Sequence, residues 1–328
     1  MSDVLNSTLR RIVDRERDLL FRTTPILAAA SDLGGIDTDA PGASLSLPVV
    51  VQDHATITNF AGSGFAPYNL VVQDSLGDAN YQYAMNGIPA LISKKELLKN
   101  SGPLGRVKLA DQRIRQVRAA FGRAVEQQLQ QGGVAALSDW SSLYGGFSVG
   151  TAVADGFLYA GATATDGGTV GGLARSTAIG LQNQRVSISG GDIGDAITLA
   201  ANEADVFTEM GGDQRALFMS GTTRAALEQE TNDLVRYANS TEIDAGVQVM
   251  MFRGQRVYTS GYMPDVSTTG VQVHGVSFDG IKLYFAPGED FRLNRYERIP
   301  GTETEIASIT VFGQLAASHV ASSFVIVT

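Results

Sequence analysis

The chain has 328 residues, and its 44% of hydrophobic and 18% of charged residues are typical of a folded protein and exclude a disordered one. The absence of cysteine excludes disulfides, thiolate zinc sites and thiol nucleophiles, and no run of about 18 apolar residues is long enough for a membrane-spanning helix. A net charge of −9, from 25 basic and 34 acidic residues, argues against strong affinity for nucleic acid, because such affinity depends on neutralising phosphates.

The first residues predict an amphipathic helix over residues 5–20, because apolar side chains recur at helical spacing and TTP at 23–25 ends the pattern. The cluster DRERD at 14–18 lies within it, and Arg11 and Arg15 share one face of the helix. Two interpretations of this face stay open: a solvent-exposed row of ion pairs, or a contact surface for adjacent copies of the chain.

Residues 34–87 differ from the rest in composition, since glycine, aspartate, serine, proline and β-branched residues dominate there. The pattern predicts a long β-hairpin with an irregular tip, built from strands at 44–51, 55–60, 68–72 and 78–85. Alternation with period two places Tyr81, Tyr83 and Met85 on one face.

This hairpin has few bulky aliphatic side chains to bury against its own chain. A two-stranded ribbon is only marginally stable in water, so we expect another subunit to support it. The expected contact residues at its tip are Phe60, Phe65 and Tyr68.

Two helices follow the hairpin. Ser93 and Glu96 have the spacing of a capping box and predict a short helix, KKELLK, that NSGP ends. A much longer helix is predicted over residues 104–131, with Gly132–Gly133 as its stop. Its apolar positions form a narrow, alanine-rich stripe, which predicts that the helix lies on a surface and is not enclosed by the core.

The hairpin and the long helix carry opposite charges. Residues 23–93 contain no Lys or Arg and six Asp, among them Asp74 and Asp78, whereas residues 106–123 carry six basic side chains and one acidic one. Three interpretations of the basic face stay open: a solvated helix face, an electrostatic seat for the acidic hairpin or arm of a neighbouring copy, or a wall that faces nucleic acid. The arginines concerned are Arg106, Arg113, Arg115, Arg118 and Arg123.

The remaining sequence predicts a mixed body of helices and strands. Residues 192–212 and 222–233 predict helices, the second capped by Thr222, and RALFMSG at 215–221 predicts a short buried strand. A hairpin over 247–264 is expected to turn at Arg253–Gly254, and strands follow to the end of the chain.

No catalytic, cofactor or metal site is predicted. The three histidines, His54, His274 and His319, are far apart in sequence and are expected to be ordinary packed or surface residues. The segments GGTVGG and GGDIGD lack the dinucleotide-binding glycine pattern and the Walker lysine, and no HExxH or GxSxG motif occurs. The sequence therefore favours a structural protein over an enzyme.

The order of these elements resembles the major capsid protein of tailed bacteriophages with the Hong Kong 97-type fold. The segment IPALISKKELLKNSG resembles the family's link from extended loop to spine helix, and QRALFMSGTTRAALEQETND resembles its central strand and helix. The segment GVQVMMFRGQRVYTSGYMP is similar to the hairpin that follows, and SITVFGQLAASHV to the strand that returns to the peripheral domain.

The resemblance implies an α+β fold with four parts. These are an N-terminal arm (1–33), an extended loop (34–88), a peripheral domain with a long spine helix (89–133 and 280–328) and an axial domain (134–279). It implies a chain that assembles as hexamers and pentamers into an icosahedral phage head enclosing double-stranded DNA. In such a shell the extended loop would lie over a neighbouring subunit.

The resemblance also implies partners and a location. The partners are further copies of the chain, a portal protein, a scaffolding protein and a possible cement or decoration protein, with weak nonspecific contact to packaged DNA. The location is the virion capsid, assembled in the host cytoplasm.

Two features depart from variants of the family. Some relatives cross-link the extended loop through a lysine, which is chemically unavailable here because residues 23–93 contain none. Some carry a long scaffold segment before the loop, whereas here the first predicted strand begins at residue 44. We therefore expect no lysine-mediated cross-link from the loop, and a separate scaffolding protein.

Two other structural roles stay open. An encapsulin-like nanocompartment protein would share the fold but enclose protein cargo instead of DNA. A glycine-rich phage tail or adhesin protein would form no closed shell.

Overall fold

A computed structural model describes residues 20, 24–38, 42, 44–52, 74–99, 103–144, 156–159, 168–188, 192–207, 215–230, 250–263 and 271–327. The predicted helix at 5–20 and the predicted strands at 55–60 and 68–72 lie outside these residues. So do five of the expected contact residues and one histidine: Arg11, Arg15, Phe60, Phe65, Tyr68 and His54.

The described residues form helices and short strands in alternation. The helices are α1 (Pro25–Asp32), α2 (Lys94–Lys99), α3 (Pro103–Gln131), α4 (Ile193–Asp205) and α5 (Gly221–Glu230). The first nine strands are β1 (Ile36–Asp37), β2 (Ser44–Val50), β3 (Leu76–Gln82), β4 (Ala84–Ser93), β5 (Ser142–Tyr144), β6 (Gly156–Leu158), β7 (Thr169–Val170), β8 (Leu173–Ala174) and β9 (Gln184–Ser187). The others are β10 (Arg215–Met219), β11 (Met250–Phe252), β12 (Gln255–Thr259), β13 (Val271–Ser277), β14 (Ile281–Phe285), β15 (Arg292–Leu293), β16 (Glu297–Arg298), β17 (Thr304–Ala317) and β18 (Phe324–Val327).

The first sheet is organised around β17. This strand pairs antiparallel with β4, β14, β15 and β16, and β1 adds to β14 as a parallel strand. Its longest pairing, with β4, runs from Ala84↔Gly313 to Ser93↔Thr304. One face of this ribbon is covered by α3, whose Ile114 packs against Ile92 and Tyr296.

The second sheet has the strand order β11-β12-β10-β13-β18-β9. Its strand β10 is buried along its whole length, as predicted, and β11 and β12 form the predicted hairpin with its turn at Arg253–Gly254. The terminal strand β18 pairs with β13 and β9 of this sheet. The predicted peripheral segment 280–328 is thus divided between the two sheets, because the chain crosses from β17 to β18 after Ala317.

The capping box before α2 is confirmed. The Ser93 N–H donates to Glu96 Oε2 at 3.3 Å, and the Glu96 N–H donates to Ser93 Oγ at 3.3 Å. The cap predicted for α5 is wrong, since Ser220 and not Thr222 accepts the hydrogen bond from the Thr223 N–H, at 3.2 Å. The helix predicted over 192–212 also ends earlier, at Asp205.

The long helix was predicted within one residue of its observed start, but the prediction that it lies on a surface is wrong for its second half. Phe121, Val125 and Leu129 are buried there, and so are the polar side chains of Glu126 and Gln128. Gln128 donates to the Trp140 carbonyl at 2.8 Å and accepts from the Val134 N–H at 3.0 Å. In the sequence, polar side chains at these positions indicate a solvated face. The partners that bury them lie outside the helix, so the helical pattern does not reveal them.

Glu126 joins α3 to two other parts of the chain. Its carboxylate accepts hydrogen bonds from the Ile26 N–H at 3.1 Å and from Ser260 Oγ at 2.8 Å. Ile26 lies in the first turn of α1, so the carboxylate caps that helix from 100 residues away. Burial raises the pKa of Glu126, although its hydrogen bonds act in the opposite direction.

Helix α1 is part of the subunit core and not of a free arm. Ile26 and Leu27 are buried, and at its other end Asp32 pairs with Arg256 at 2.8 Å and accepts from the Tyr258 hydroxyl at 3.1 Å. Helix α1 contacts α3 and β12, and the predicted arm of residues 1–33 stays a prediction.

The base of the extended hairpin is formed by β2 and β3, paired antiparallel from Ser44↔Gln82 to Val50↔Leu76. The expectation that it has little cover from its own chain is wrong for this base. Tyr81 is buried and donates to the Ala317 carbonyl at 2.8 Å, and the Asn80 N–H donates to the Gly171 carbonyl at 2.8 Å.

The prediction that Tyr81, Tyr83 and Met85 share one face is also wrong. Tyr81 is 4% exposed, whereas Met85 is 69% exposed. The reason is that the strand is interrupted at Tyr83, where the chain leaves the hairpin and joins the first sheet as β4.

We predict that Gly171→Ala weakens the seat of the hairpin base and destabilises the chain by about 1–3 kcal/mol. Gly171 has φ 57°, and a Cβ there would lie 2.7 Å from the Ala79 Cβ. Gly172→Ala is the matched control, because Gly172 has φ 84° but a Cβ there meets no atom within 4 Å. Urea unfolding of both variants measures the difference, and equal midpoints would contradict the contact.

Candidate assembly interface

The basic side chains predicted on the long helix do not form one uniform surface. Arg113 pairs with Glu96 at 2.7 Å and Arg115 pairs with Asp111 at 2.8 Å. Of Arg106 the structure describes the backbone only.

The other two arginines of α3 differ in exposure. Arg118 is half-buried, whereas Arg123 is exposed and forms no ion pair with the described residues. Arg115 and Arg123 are therefore the members of the set that are most available to another molecule.

Arg113 has a role within its own subunit. Its guanidinium joins α3 to the capped first turn of α2 through Glu96. The pKa of Glu96 lies below its ordinary value, mainly because the Ser93 backbone N–H donates to its carboxylate and next because Arg113 does. The ion pair thus links the short helix to the long one.

The hairpin base presents one face to solvent. Asp74 and Asp78 are exposed on this face, and Val50 and Leu76, which are 41% and 59% exposed, form a cross-strand pair beside them. A surface with both carboxylates and apolar side chains suits a partner that offers basic groups next to apolar ones.

A second exposed surface lies on the first sheet, on the face away from α3. Met85 and Leu91 of β4 project from it, and their cross-strand partners Phe312 and Ile306 of β17 are half-buried. The ring of Tyr83 stacks on that of Phe312, with centroids 5.3 Å apart. We call Tyr83, Met85, Leu91, Ile306 and Phe312 the outer strip.

Sequence reasoning missed the outer strip. Its residues occupy alternate positions along β4 and β17, but apolar residues also occupy the intervening positions, which form the buried face of each strand. The sequence therefore shows two apolar strands without showing which of their faces is covered.

The structure describes two of the three histidines, and they lie in different elements. His274 is buried in β13 and His319 lies half-buried in the turn after β17. Among the described residues no group of three His, Asp or Glu side chains could hold a metal ion, and no helix there is long and apolar enough to cross a membrane.

Comparison with solved structures finds the same architecture in capsid chains. A chain of the cyanophage A-1(L) capsid asymmetric unit superposes with a TM-score of 0.58 at 14% identity, over 92% of each chain. A chain from the capsid of an empty GTA particle gives a TM-score of 0.55 at 13% identity, over 91% of this chain and 95% of the other. The chain has the Hong Kong 97-type capsid fold.

This capsid fold is also found outside phage heads. A chain of the holo-SrpI encapsulin complex from Synechococcus elongatus PCC 7942 gives a TM-score of 0.53 at 14% identity, over 89% of this chain and 84% of the other. No family model matches the chain, and no curated protein matches its sequence. The capsid fold predicted from the sequence is confirmed, and the choice between its two uses rests on other observations.

We predict that Arg113→Glu loosens the junction of α2 and α3, because it places a second carboxylate beside Glu96. Reversing the pair in the double variant Glu96→Arg, Arg113→Glu is expected to recover part of the lost stability. Arg123→Glu serves as a control on the same helix, because Arg123 is exposed and forms no ion pair with the described residues. Urea unfolding at low ionic strength measures the effect. A double variant less stable than the two single effects combined would contradict the pairing.

Proposed function

We propose that this chain is the major capsid protein of a tailed phage. Its copies assemble as hexamers and pentamers into an icosahedral head that encloses double-stranded DNA. The observation that carries the proposal is the match of fold over about nine-tenths of both chains with two capsid proteins, at 92% and 91% of this chain. The role is structural and not enzymatic.

Assembly would use the hairpin and the arginines of α3. The exposed face of the hairpin base carries Asp74 and Asp78, and the side of α3 that carries Arg115 and Arg123 offers the opposite charge to it. Each such contact is weak at an exposed site, but a closed shell repeats it in every subunit, and the combined effect is strong.

The domain division belongs to the same proposal, with two changes. The arm would end before α1, and the peripheral domain would lose β18 to the sheet of the axial domain. The long helix α3 would be the spine helix, and β2 and β3 the base of the extended loop.

The proposal includes partners that the fold alone does not identify. These are a separate scaffolding protein, a portal protein and a candidate cement or decoration protein. Contact with packaged DNA would be weak and nonspecific, because a chain with a net charge of −9 offers few cations for the phosphates.

An encapsulin-like nanocompartment is the second candidate, because a chain of an encapsulin complex shares the fold. Such a shell would enclose protein and no genome. The acidic character of the chain does not separate the two candidates.

Negative-stain electron microscopy of the purified chain tests the shell. We expect closed, spherical particles, and a uniform monomer would overturn the proposal. Nuclease-protected DNA in particles from infected or induced cells supports a phage head, whereas particles that hold a single protein and no DNA support the nanocompartment. Denaturing electrophoresis of the same particles should show monomers, since residues 23–93 provide no lysine for a covalent link from the loop.

We predict that Arg123→Glu lowers the yield of particles while the subunit stays folded, because Arg123 is exposed. Arg123→Lys retains the charge and is the matched control. Adding Asp74→Lys and Asp78→Lys to Arg123→Glu should restore part of the yield if the hairpin and the helix of adjacent copies meet. Particle yield by sedimentation measures each variant, and normal yield from Arg123→Glu would mean that this face is merely solvated.

A further inference from the structure

His274 lies in the centre of the second sheet and has no polar partner. It is aligned across the sheet in the row Tyr258, Phe218, His274, Val325 and Arg185, which comes from five adjacent strands. The side chain is 0% exposed, and within the part of the chain that the structure describes neither ring nitrogen has a hydrogen-bond partner. A buried imidazole of this kind is tolerated only in its neutral form.

Among the described residues, none that contacts His274 offers a charge to compensate a proton. Its strand neighbours Phe218 and Val325 are apolar, and Tyr144 of β5 is the titratable side chain whose ring contacts it, with centroids 5.6 Å apart. The other ionisable groups of the row, Tyr258 and Arg185, each lie two strands away. Burial lowers the pKa of His274 to about 3, and no charged group contributes to this shift.

We propose that His274 is an acid-sensitive switch of the second sheet, and that its protonation favours separation of β5 from this sheet. Water can reach the imidazole ring at the lowest free-energy cost where the element that packs on the ring is not part of the sheet. Tyr144 is the last residue of β5, a three-residue strand that pairs only with β6 among the described strands. The cross-strand neighbours Phe218 and Val325 are held by the sheet itself, whereas Tyr144 belongs to a strand outside this sheet, so the proposal assigns the first movement to β5. This inference does not rest on the proposed shell.

The sign of the pH dependence follows from the depressed pKa. Between pH 6.5 and the lower pKa of the folded state, the unfolded chain binds more protons, so the folded state loses stability as pH falls. His319 acts in the same direction, since burial lowers its pKa, although Asp279 opposes the shift. Glu126 acts in the opposite direction: its pKa is raised, so the stability it contributes is present at low pH and is lost as pH rises through the folded pKa.

The test is denaturant unfolding of the full chain between pH 7.5 and 5.5, followed by the fluorescence of Trp140, the only tryptophan. All variants carry Glu126→Gln, which keeps an acceptor for the Ile26 N–H and removes the opposing titration. With His274 present, we expect the ratio of folded to unfolded chain to fall by about tenfold more over this range than in His274→Phe or His274→Leu.

The control is His319→Gln. In this variant the ratio of folded to unfolded chain should still fall more between pH 7.5 and 5.5 than it does in the His274 variants. The experiment compares how much the free energy of unfolding changes with pH. A packing defect in His274→Phe or His274→Leu lowers the free energy of unfolding at every pH and does not alter this change. The same fall in both His274 variants would overturn the proposal.

Hydrogen exchange at pH 5.5 tests which element moves. Comparison at one pH cancels the intrinsic effect of pH on exchange. We expect faster exchange in peptides that cover β5 and β6 when His274 is present than in His274→Leu. Equal exchange in these peptides would overturn the assignment of β5 as the moving element.

Discussion

The first sheet depends on the pairing of β17, which meets strands from both ends of the chain. β4 pairs along one edge from Ser93 to Ala84, and β14, β15 and β16 share the other edge. Within this strand the Gln314 amide donates to the carbonyls of Gln82 and Asp139, both at 2.8 Å, and its oxygen accepts from the Ser141 N–H at 2.9 Å. One buried side chain thus positions the end of the hairpin and the segment that leads to β5. The pairing of β4 with β17 joins residues 84–93 to residues 304–313, so this part of the sheet can form only when distant parts of the chain meet.

Buried polar side chains connect the remaining parts through hydrogen bonds to backbone and side-chain groups elsewhere in the chain. Glu126 joins α1, α3 and the segment after β12. Arg175 donates to the carbonyls of Gly156 and Phe157, and Asn183 bonds both the N–H and the carbonyl of Tyr159, so that the short strand β6 is held at its two ends. These contacts tolerate little substitution, since removing one partner leaves a buried group unsatisfied. His274 differs from these groups, because neither of its ring nitrogens has a hydrogen-bond partner among the described residues.

The sequence predicted the elements with strong local signals and missed what depends on distant partners. The capping box at Ser93, the end of α3 near Gly132 and the turn at Arg253–Gly254 are set by residues within a few positions, and each was correct. The burial of Glu126 and Gln128 was missed because nothing nearby in sequence marks their partners. The cap of α5 was misplaced by two residues, because serine and threonine hydroxyls at 220, 222 and 223 are equivalent in the sequence and compete in the structure. Of the candidate interface, the charges were visible in the sequence, but the exposure of the outer strip was not.

The two faces of the hairpin base have different surroundings, and alternate residues along each strand belong to different faces. On the inner face, Val49, Ala79 and Tyr81 are small or anchored by a hydrogen bond, and they fit closely against the segment from Val170 to Leu181 of the same subunit. On the outer face, Val50, Leu76 and the two aspartates remain exposed, although apolar groups there gain nothing from solvent. The contacts of the inner face hold the outer face in a fixed orientation. In the proposed assembly, this would reduce the entropy lost when a second copy of the chain covers that face.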